Sequence, residues 1–519
     1  MDGRQSRLPR PENGVLLLDS HGSCRTPGAL RGAPEPLGEP ETKAVPRSLG
    51  GSAAFLVGMT THRRLAGLPS ELKKIVGKAQ VIQEGEFFEE HRKDMADYEG
   101  TPAVVVRPQS EEQVSAIVQL ANRREVPILA WGAGSSLTGA VVRDGAIVVD
   151  MRRFDRILKI DPVNWYVDVQ PGVVLDDLGN ALKAQGFFFP PDPASSFLCT
   201  VGGAIATGAG GMRCVRYGTM KDWVLALRVV LPNGEVTSLG EPLPKNRAGY
   251  DLVRLFVGSE GTLGIITQAT LKILPLPGVR IRRMLVQFAD WPTAGEAIKG
   301  LRKARVVPDL LEFLDRETIA AVNRSFDFHV EEAEATLLVD LEEPSIPAAT
   351  EVFRVHHALG IRPAADEAEA DRLYQVRARA YLALKERASG IQIEDVVVPI
   401  DRLAEYLRFV KEVAARHHVQ IPVVGHAGDG NVHPAILYDK ADAKSREAAT
   451  AAFEEICRYA IRVGGSVTGE HGVGSQKVAL FRAQLEAHGG GESLRLMKEI
   501  KRVFDPKGIM NPGKYVDAA

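Results

Sequence analysis

Cysteine is scarce in this sequence. Cys24, Cys199, Cys214 and Cys457 are the only four in 519 residues, and their spacing suggests no pairing. That excludes a disulfide framework and points to a reducing compartment. Charge of one sign is also missing: a formal net charge of −2 gives no reason to expect a nucleic-acid partner. No apolar run approaches the roughly eighteen residues of a transmembrane helix. We therefore expect a cytoplasmic protein, with peripheral contact at the inner membrane and a homodimer left open. The length allows two or three domains with cores of their own, and no internal repeat divides it. Histidine is sparse as well, at twelve residues, so its placement carries information.

The first 58 residues stand apart. They are rich in Pro, Gly, Arg and Ser, and their only apolar run is Gly14-Val15-Leu16-Leu17-Leu18. That run is too short for a signal-peptide core, and Asp2, Glu12, Asp19 and Glu35 argue against a transit peptide. The segment is expected to be disordered. Folded character begins near Met59, a candidate start of translation that N-terminal sequencing would test.

Two short stretches concentrate the chemistry. One reads Gly425-His426-Ala427-Gly428-Asp429-Gly430-Asn431-Val432-His433, the other Gly469-Glu470-His471-Gly472. Apolar residues flank the first on both sides as strands would, and Asp429-Gly430 is a two-residue hairpin signal. In that hairpin His426 faces His433 across the ladder, with Cβ atoms roughly 5 Å apart. Two such imidazoles can share one metal ion, with Glu470 as an oxygen ligand, an open position, and His471 as a neighbouring base. The bland alternative is a glycine-rich turn with two hydrogen-bonded histidines.

Upstream, the pattern is α/β. Residues 69–97 read as two helices, 104–106 as a strand, and 110–123 as an amphipathic helix capped by Ser110. Strands are expected at 126–131, 146–150, 165–170, 226–231 and 264–274, with Pro275-Leu276-Pro277-Gly278 marking a boundary. A second α/β unit follows: a strand at 283–288, a helix at 293–304 and a strand near 310–314. Long helices are expected at 367–387 and 403–416.

Three glycine clusters lie before that boundary. The first, Trp131-Gly132-Ala133-Gly134-Ser135-Ser136-Leu137-Thr138-Gly139, follows a strand. Leu137 stands where the dinucleotide fingerprint needs its third glycine, and no helix follows, so a Rossmann reading is weak. Consecutive backbone N–H groups with two hydroxyls can instead form a nest for a diphosphate, or simply a tight loop. The second cluster runs from Thr200-Val201-Gly202-Gly203 to Gly210-Gly211, and the third is Gly258-Ser259-Glu260-Gly261-Thr262-Leu263-Gly264. Three in one region favour a large cofactor lying along the backbone.

Taken in order, these clusters, Arg216-Tyr217-Gly218, the histidine stretches and Asn511-Pro512-Gly513-Lys514 resemble the FAD-linked oxidoreductases of the vanillyl-alcohol-oxidase type. Within them the similarity is to the D-lactate, glycolate-oxidase-subunit and D-2-hydroxyglutarate dehydrogenase branch, over about residues 60–515. The resemblance implies an α+β fold: a two-lobed PCMH-type FAD domain at 59–278, an α/β substrate (cap) domain at 279–470, and a segment at 471–519 returning to the flavin. Gly132, Ala133, Gly134, Ser135, Ser136 and Gly139 would hold the diphosphate. Asp192, Thr200, Gly203, Glu260, Ile265, Ile266 and Asn511 would lie along the cofactor. No histidine stands at 131–139, so FAD is expected to be non-covalent.

The same resemblance makes His426, His433 and Glu470 ligands of a divalent metal, Zn or Mn, and His471 the catalytic base. Arg377 corresponds to the arginine that binds the substrate carboxylate, whereas Arg379 reads as a solvated charge. The implied reaction is oxidation of a D-2-hydroxy acid to the 2-oxo acid, with hydride passing to flavin N5. No haem or iron–sulfur ligation pattern is present, so electrons would leave to a cytochrome, a quinone or an electron-transfer flavoprotein. Ile393, ahead of Glu394-Asp395-Val396, replaces the lysine of the 2-hydroxyglutarate enzymes, and Pro434-Ala435 brings no polar amide. Both departures favour a small or apolar tail, as in lactate or glycolate, over a dicarboxylate. Three alternatives share the fold: a D-2-hydroxyglutarate dehydrogenase, a non-redox FAD-containing transferase resembling alkyl-glycerone-phosphate synthase, and an assembly subunit without catalysis.

Overall fold

The computed structural model describes residues 64–516. The extension expected to be disordered, and Met59, lie outside the described residues. Three larger sheets organise the described residues, with Phe187–Phe188 and Leu274–Pro275 forming a small two-stranded one. In the first, Ile147–Asp150 runs between Val104–Val106 and Ile128–Trp131, parallel to both. Val81–Ile82 closes one edge antiparallel. The helix Glu111–Arg124 covers this sheet; the Ser110 hydroxyl caps it by accepting from the Gln113 N–H at 3.4 Å. Val114, Ile117, Val118 and Ala121 recur at helical spacing and pack into the same core as Val104, Val106, Ile128, Ile147 and Val149.

The free side of Ile128–Trp131 is taken by the end of the chain. The Ile128 N–H donates to the Ile509 carbonyl and the Asn511 N–H to the Ile128 carbonyl, both at 2.8 Å. A second, antiparallel sheet orders its strands Ile157–Asp161, Tyr166–Val169, Ile265–Lys272, Val224–Val230 and Val236–Gly240. The short helix Val201–Thr207 packs on it through Val201, Ala204 and Ile205.

After residue 280 the strands join a third sheet. Its order is Gly360–Pro363, Ile281–Phe288, Ala335–Glu342, Leu310–Asp315, Val423–His426, Asn431–Tyr438 and Gly390–Ile393, with Val396–Val397 also pairing to Asn431–Tyr438. The helices Trp291–Lys303, Leu403–His417 and Ala443–Arg462 share one large apolar core with it. That core holds Val423, Val432 and Ile436, so the strands bearing His426 and His433 are anchored from behind.

Two expected helices differ. The 367–387 helix is two, Glu367–Ala378 and Ala380–Lys385, because Arg379 takes a bridge-region backbone (φ −93°, ψ 0°). Arg379 is exposed, with its guanidinium over the Phe326 ring. The second helix expected within 69–97 is only Glu86–Glu90. Beyond it the Asp94 carboxylate accepts the Ala96 and Tyr98 N–H groups at 3.0 Å each, a side-chain competitor to helical bonding.

Candidate active site

His426 and His433 sit on adjacent antiparallel strands, but not directly opposite each other. His426 pairs with Asn431 and Val424 with His433, so the connection is four residues long and the histidines are diagonal neighbours. A two-residue turn of the expected type needs positive φ at both central positions. Gly430 supplies it (φ 84°) and Asp429 does not. The parity of the ladder survives the shift, so both rings share a face, 5.1 Å apart and nearly perpendicular.

Glu470 completes the cluster from a loop distant in sequence. Its Oε1 lies 2.9 Å from His426 Nε2 and 3.4 Å from His433 Nε2. One donor atom from each of the three residues falls within 4.8 Å of the others. The far nitrogen of each ring is engaged: His426 Nδ1 meets Glu312 at 2.9 Å, and His433 Nδ1 meets the Glu394 carbonyl at 3.2 Å. That is how histidines are oriented for metal ligation, with Nε2 left to the ion. Glu470 Oε2 is buried with no hydrogen-bond partner. Two imidazole nitrogens and an orphaned carboxylate oxygen fit a divalent cation. With protein groups alone, burial disfavours a charged His426, yet the Glu312 and Glu470 carboxylates hold its pKa well above the imidazole range. Burial likewise opposes ionisation of Glu470, but His426 carries that carboxyl well below its ordinary value.

His471 stacks on His433 with centroids 4.9 Å apart, and its Nε2 lies 3.8 Å from Glu470 Oε1. An imidazole titrating near neutrality was expected here; burial pushes it down to about 4, so the ring is neutral and free to accept a proton. Asp395, Asn431 and Glu312 surround these groups, and the sequence patterns gave no role to any of them. Asp395 Oδ2 accepts the Gly469, Glu470 and His471 N–H groups and the Thr468 hydroxyl. Burial opposes its charge, but His471, Lys477 and His433 hold its pKa well below the carboxylate range. Asp395 also stands near His433 and His471, but an oxygen with four donors is a structural anchor more than a metal ligand. Arg377 is buried, donating through Nε to Glu312, which is itself fully buried. Glu312 thus sits between Arg377 and His426.

This cluster opens into the same cavity as the glycine-rich loop. The cavity encloses about 1760 Å³ of space, part of it open to solvent. Gly132, Ala133, Gly134, Ser135 and Ser136 form one wall. Thr200, Gly203, Glu260, Ile266 and Asn511 also line it, as do Arg377, His426, His433, Glu470 and His471. Gly139, Asp192 and Ile265, also expected along the cofactor, are not among the residues that line it; Ile265 packs in the core of the first sheet. Gly139 turns the loop at φ 73° and donates to Asp94, while Asp192 accepts the Arg213 N–H at 2.9 Å. A side chain at Gly132 would place Cβ 2.4 Å from Thr200 Oγ1, so the wall is kept smooth by necessity. Trp131 Nε1, buried on the same wall, has no partner. Small residues, exposed backbone and an unpaired donor suit a flat, hydrogen-bonding cofactor.

Glu260 ties the two halves of the site. It accepts the Val473 N–H at 2.6 Å and the Gly474 N–H at 2.9 Å, and its own carbonyl accepts Asn511 Nδ2 at 2.7 Å. Burial raises its carboxyl to about 7, against the two N–H groups that lower it. A carboxyl raised on folding adds stability that is complete below its ordinary pKa and lost as pH climbs through the folded value. Flavin-free wild-type protein should therefore lose more thermal stability between about pH 5 and about pH 8 than Glu260→Gln does. Parallel melting curves for the two proteins would refute the assignment.

A wall of small residues, carried by loops and a short helix beside the first two sheets, faces a buried histidine–carboxylate cluster built on the third sheet and the Glu470 loop. The chain belongs to the FAD-linked oxidases: residues 102–240 match the family model for the FAD binding domain, and residues 280–515 match that for the C-terminal domain of FAD linked oxidases. It is 36% identical over 428 residues to a D-lactate dehydrogenase of Archaeoglobus fulgidus, covering 80% of this chain and 91% of the relative. It is 35% identical over 425 residues to the glycolate oxidase subunit GlcD of Bacillus subtilis, covering 80% and 89%. The fold is shared with p-cresol methylhydroxylase (TM-score 0.71, 19% identity, 87% of this chain and 96% of the other). It is also shared with 4-ethylphenol oxidase of Gulosibacter chungangensis (TM-score 0.70, 20% identity, 87% and 97%). The resemblance to FAD-linked oxidoreductases of the D-lactate dehydrogenase and glycolate-oxidase-subunit branch is borne out by the family models and relatives, and its fold by the two structures.

Proposed function

We propose that this protein oxidises a small D-2-hydroxy monocarboxylate, such as D-lactate, to the 2-oxo acid. The reading is carried by one observation: the glycine-rich wall, Arg377 and the His426–His433–Glu470 cluster line a single cavity. Residues 132–136 would hold a flavin, which would supply the two-electron sink, and His426, His433 and Glu470 would hold a divalent cation, which would supply polarisation of the 2-hydroxyl. Arg377, pinned through Nε by Glu312, binds the substrate carboxylate with its terminal nitrogens and fixes the C2–H bond toward the flavin wall. His471, neutral in its buried setting, takes the hydroxyl proton at Nε2.

The cavity wall supports a monocarboxylate. Arg377 is its only Lys or Arg among the described residues, so a second carboxylate would meet no cation there. Ile393, Val424, Tyr381 and Leu382 give the wall near the histidines an apolar character. Electrons leave to an external acceptor; one relative, from Arabidopsis thaliana, is named D-lactate dehydrogenase [cytochrome]. The test is anaerobic reduction of the purified yellow protein by a panel of D- and L-2-hydroxy acids. D-lactate or glycolate should bleach the flavin, and L-lactate and D-2-hydroxyglutarate should do so at least about 100-fold more slowly, the order expected when a carboxylate or orientation goes unpartnered. Bleaching by none of them would overturn the proposal and favour a transferase.

A further inference from the structure

Asp395 lies one position beyond the strand Gly390–Ile393 and Glu394, in the interior behind the histidine cluster, and is fully buried. Its Oδ2 gathers three consecutive peptide N–H groups, from Gly469 at 2.9 Å, Glu470 at 3.0 Å and His471 at 2.8 Å. The Thr468 hydroxyl donates to the same oxygen at 2.6 Å, and in turn accepts the Gly472 N–H at 3.0 Å. Three successive N–H groups curled round one oxygen make a nest, the arrangement that elsewhere cradles an anionic ligand. Here the anion is a side chain of the protein itself. The other oxygen, Oδ1, accepts Asn431 Nδ2 at 2.9 Å and lies 3.7 Å from His433 Nδ1. Asn431 is the ladder partner of His426.

One carboxylate therefore reaches every element that carries a ligand or the base. It holds the backbone of Glu470 and His471, reaches the His426 strand through Asn431, and faces the His433 ring. The Gly469–Gly472 stretch has no regular secondary structure, and the Asp395 carboxylate is the group that binds the N–H of Glu470 itself, beside the flanking bonds from Glu260 and Thr138. We infer that Asp395 is a positioning residue that presets Glu470 and His471 for cation binding and proton transfer, acting through the peptide nest without touching either the cation or the substrate. The inference rests on the reading of His426, His433 and Glu470 as a metal site.

The test uses the flavin-loaded full chain, stripped with a chelator and titrated with Mn²⁺ alone, comparing wild type, Asp395→Asn and Thr468→Val. Asp395→Asn keeps the shape and loses the charge that organises four donors. Its Mn²⁺ dissociation constant should rise about 10–100-fold, as for loss of an outer-shell partner, while flavin content stays at the wild-type level. Thr468→Val removes one donor of the four and leaves the carboxylate in place, so its rise should be smaller but measurable. A purely structural role would lower the unfolding temperature of the stripped protein and leave the Mn²⁺ constant unchanged; that result would overturn the inference. If Asp395→Asn does not fold, Thr468→Val decides, and an unchanged Mn²⁺ constant in it overturns the inference. Wild-type protein that binds no Mn²⁺ would overturn the metal reading itself and this inference with it, whereas wild-type binding with unaffected variants would overturn only the role of Asp395.

Discussion

Replacing His471 with alanine should leave FAD and metal content at wild-type levels and slow anaerobic flavin reduction by D-lactate about 10²–10⁴-fold, the range for loss of a general base. The backbone of residue 471 is held independently of its imidazole, by the bond from its N–H to Asp395 and by Thr138, whose hydroxyl contacts the residue 471 carbonyl. The loop, and with it Glu470, should therefore keep its place when the ring is removed. What disappears is the buried neutral imidazole beside His433 and Glu470. Stopped-flow bleaching combined with metal analysis checks this, and wild-type bleaching in the variant would return His471 to a stacking role.

The second large effect should come from His426→Ala. It removes a ring whose Nε2 meets Glu470 and whose Nδ1 meets Glu312. Metal affinity should fall by more than the about 10–100-fold that an outer-shell loss costs. Glu312 then faces Arg377 alone, and stripping one partner from a buried charged cluster typically destabilises by about 3–5 kcal/mol. The two consequences separate in measurement: metal content by elemental analysis, stability by denaturant unfolding of the stripped protein. A variant that kept its metal would show that the diagonal histidine pair does not act as one ligand set.

How much of this was legible beforehand depends on how local each cause is. The strand Val104–Val106, the Ser110 cap and the helix behind it follow from spacing and capping within a few residues, and they stand as read. Glycine clustering marked one wall of the cavity, because small residues are required wherever backbone is approached closely. The His426–His433 register was misread by two positions, because turn type depends on φ at Asp429, which its identity does not force. The common face survived, since a shift that preserves parity preserves the side of the sheet. The strand Ala335–Glu342 escaped notice because it is buried along nearly its whole length, leaving no polar alternation to mark it. Glu312 and Asp395 were invisible for a different reason. Glu312 lies 65 positions from Arg377 and 114 from His426, and Asp395 lies 36 from Asn431 and 76 from His471; a lone acid in or beside a strand looks like any other until the sheet is assembled.

The chain's return to its own beginning has a consequence for how the molecule forms. The strand Ile128–Trp131, from which the cofactor loop departs, takes its outer backbone partners from Ile509 and Asn511. About 380 positions separate the strand from that edge support, and the whole third sheet lies between them in sequence. Contacts of such long sequence separation slow folding. Until residues 509–511 have docked, the strand leading into the glycine-rich loop keeps an open sheet edge, so the order of that loop waits on one of the longest-range contacts in the fold.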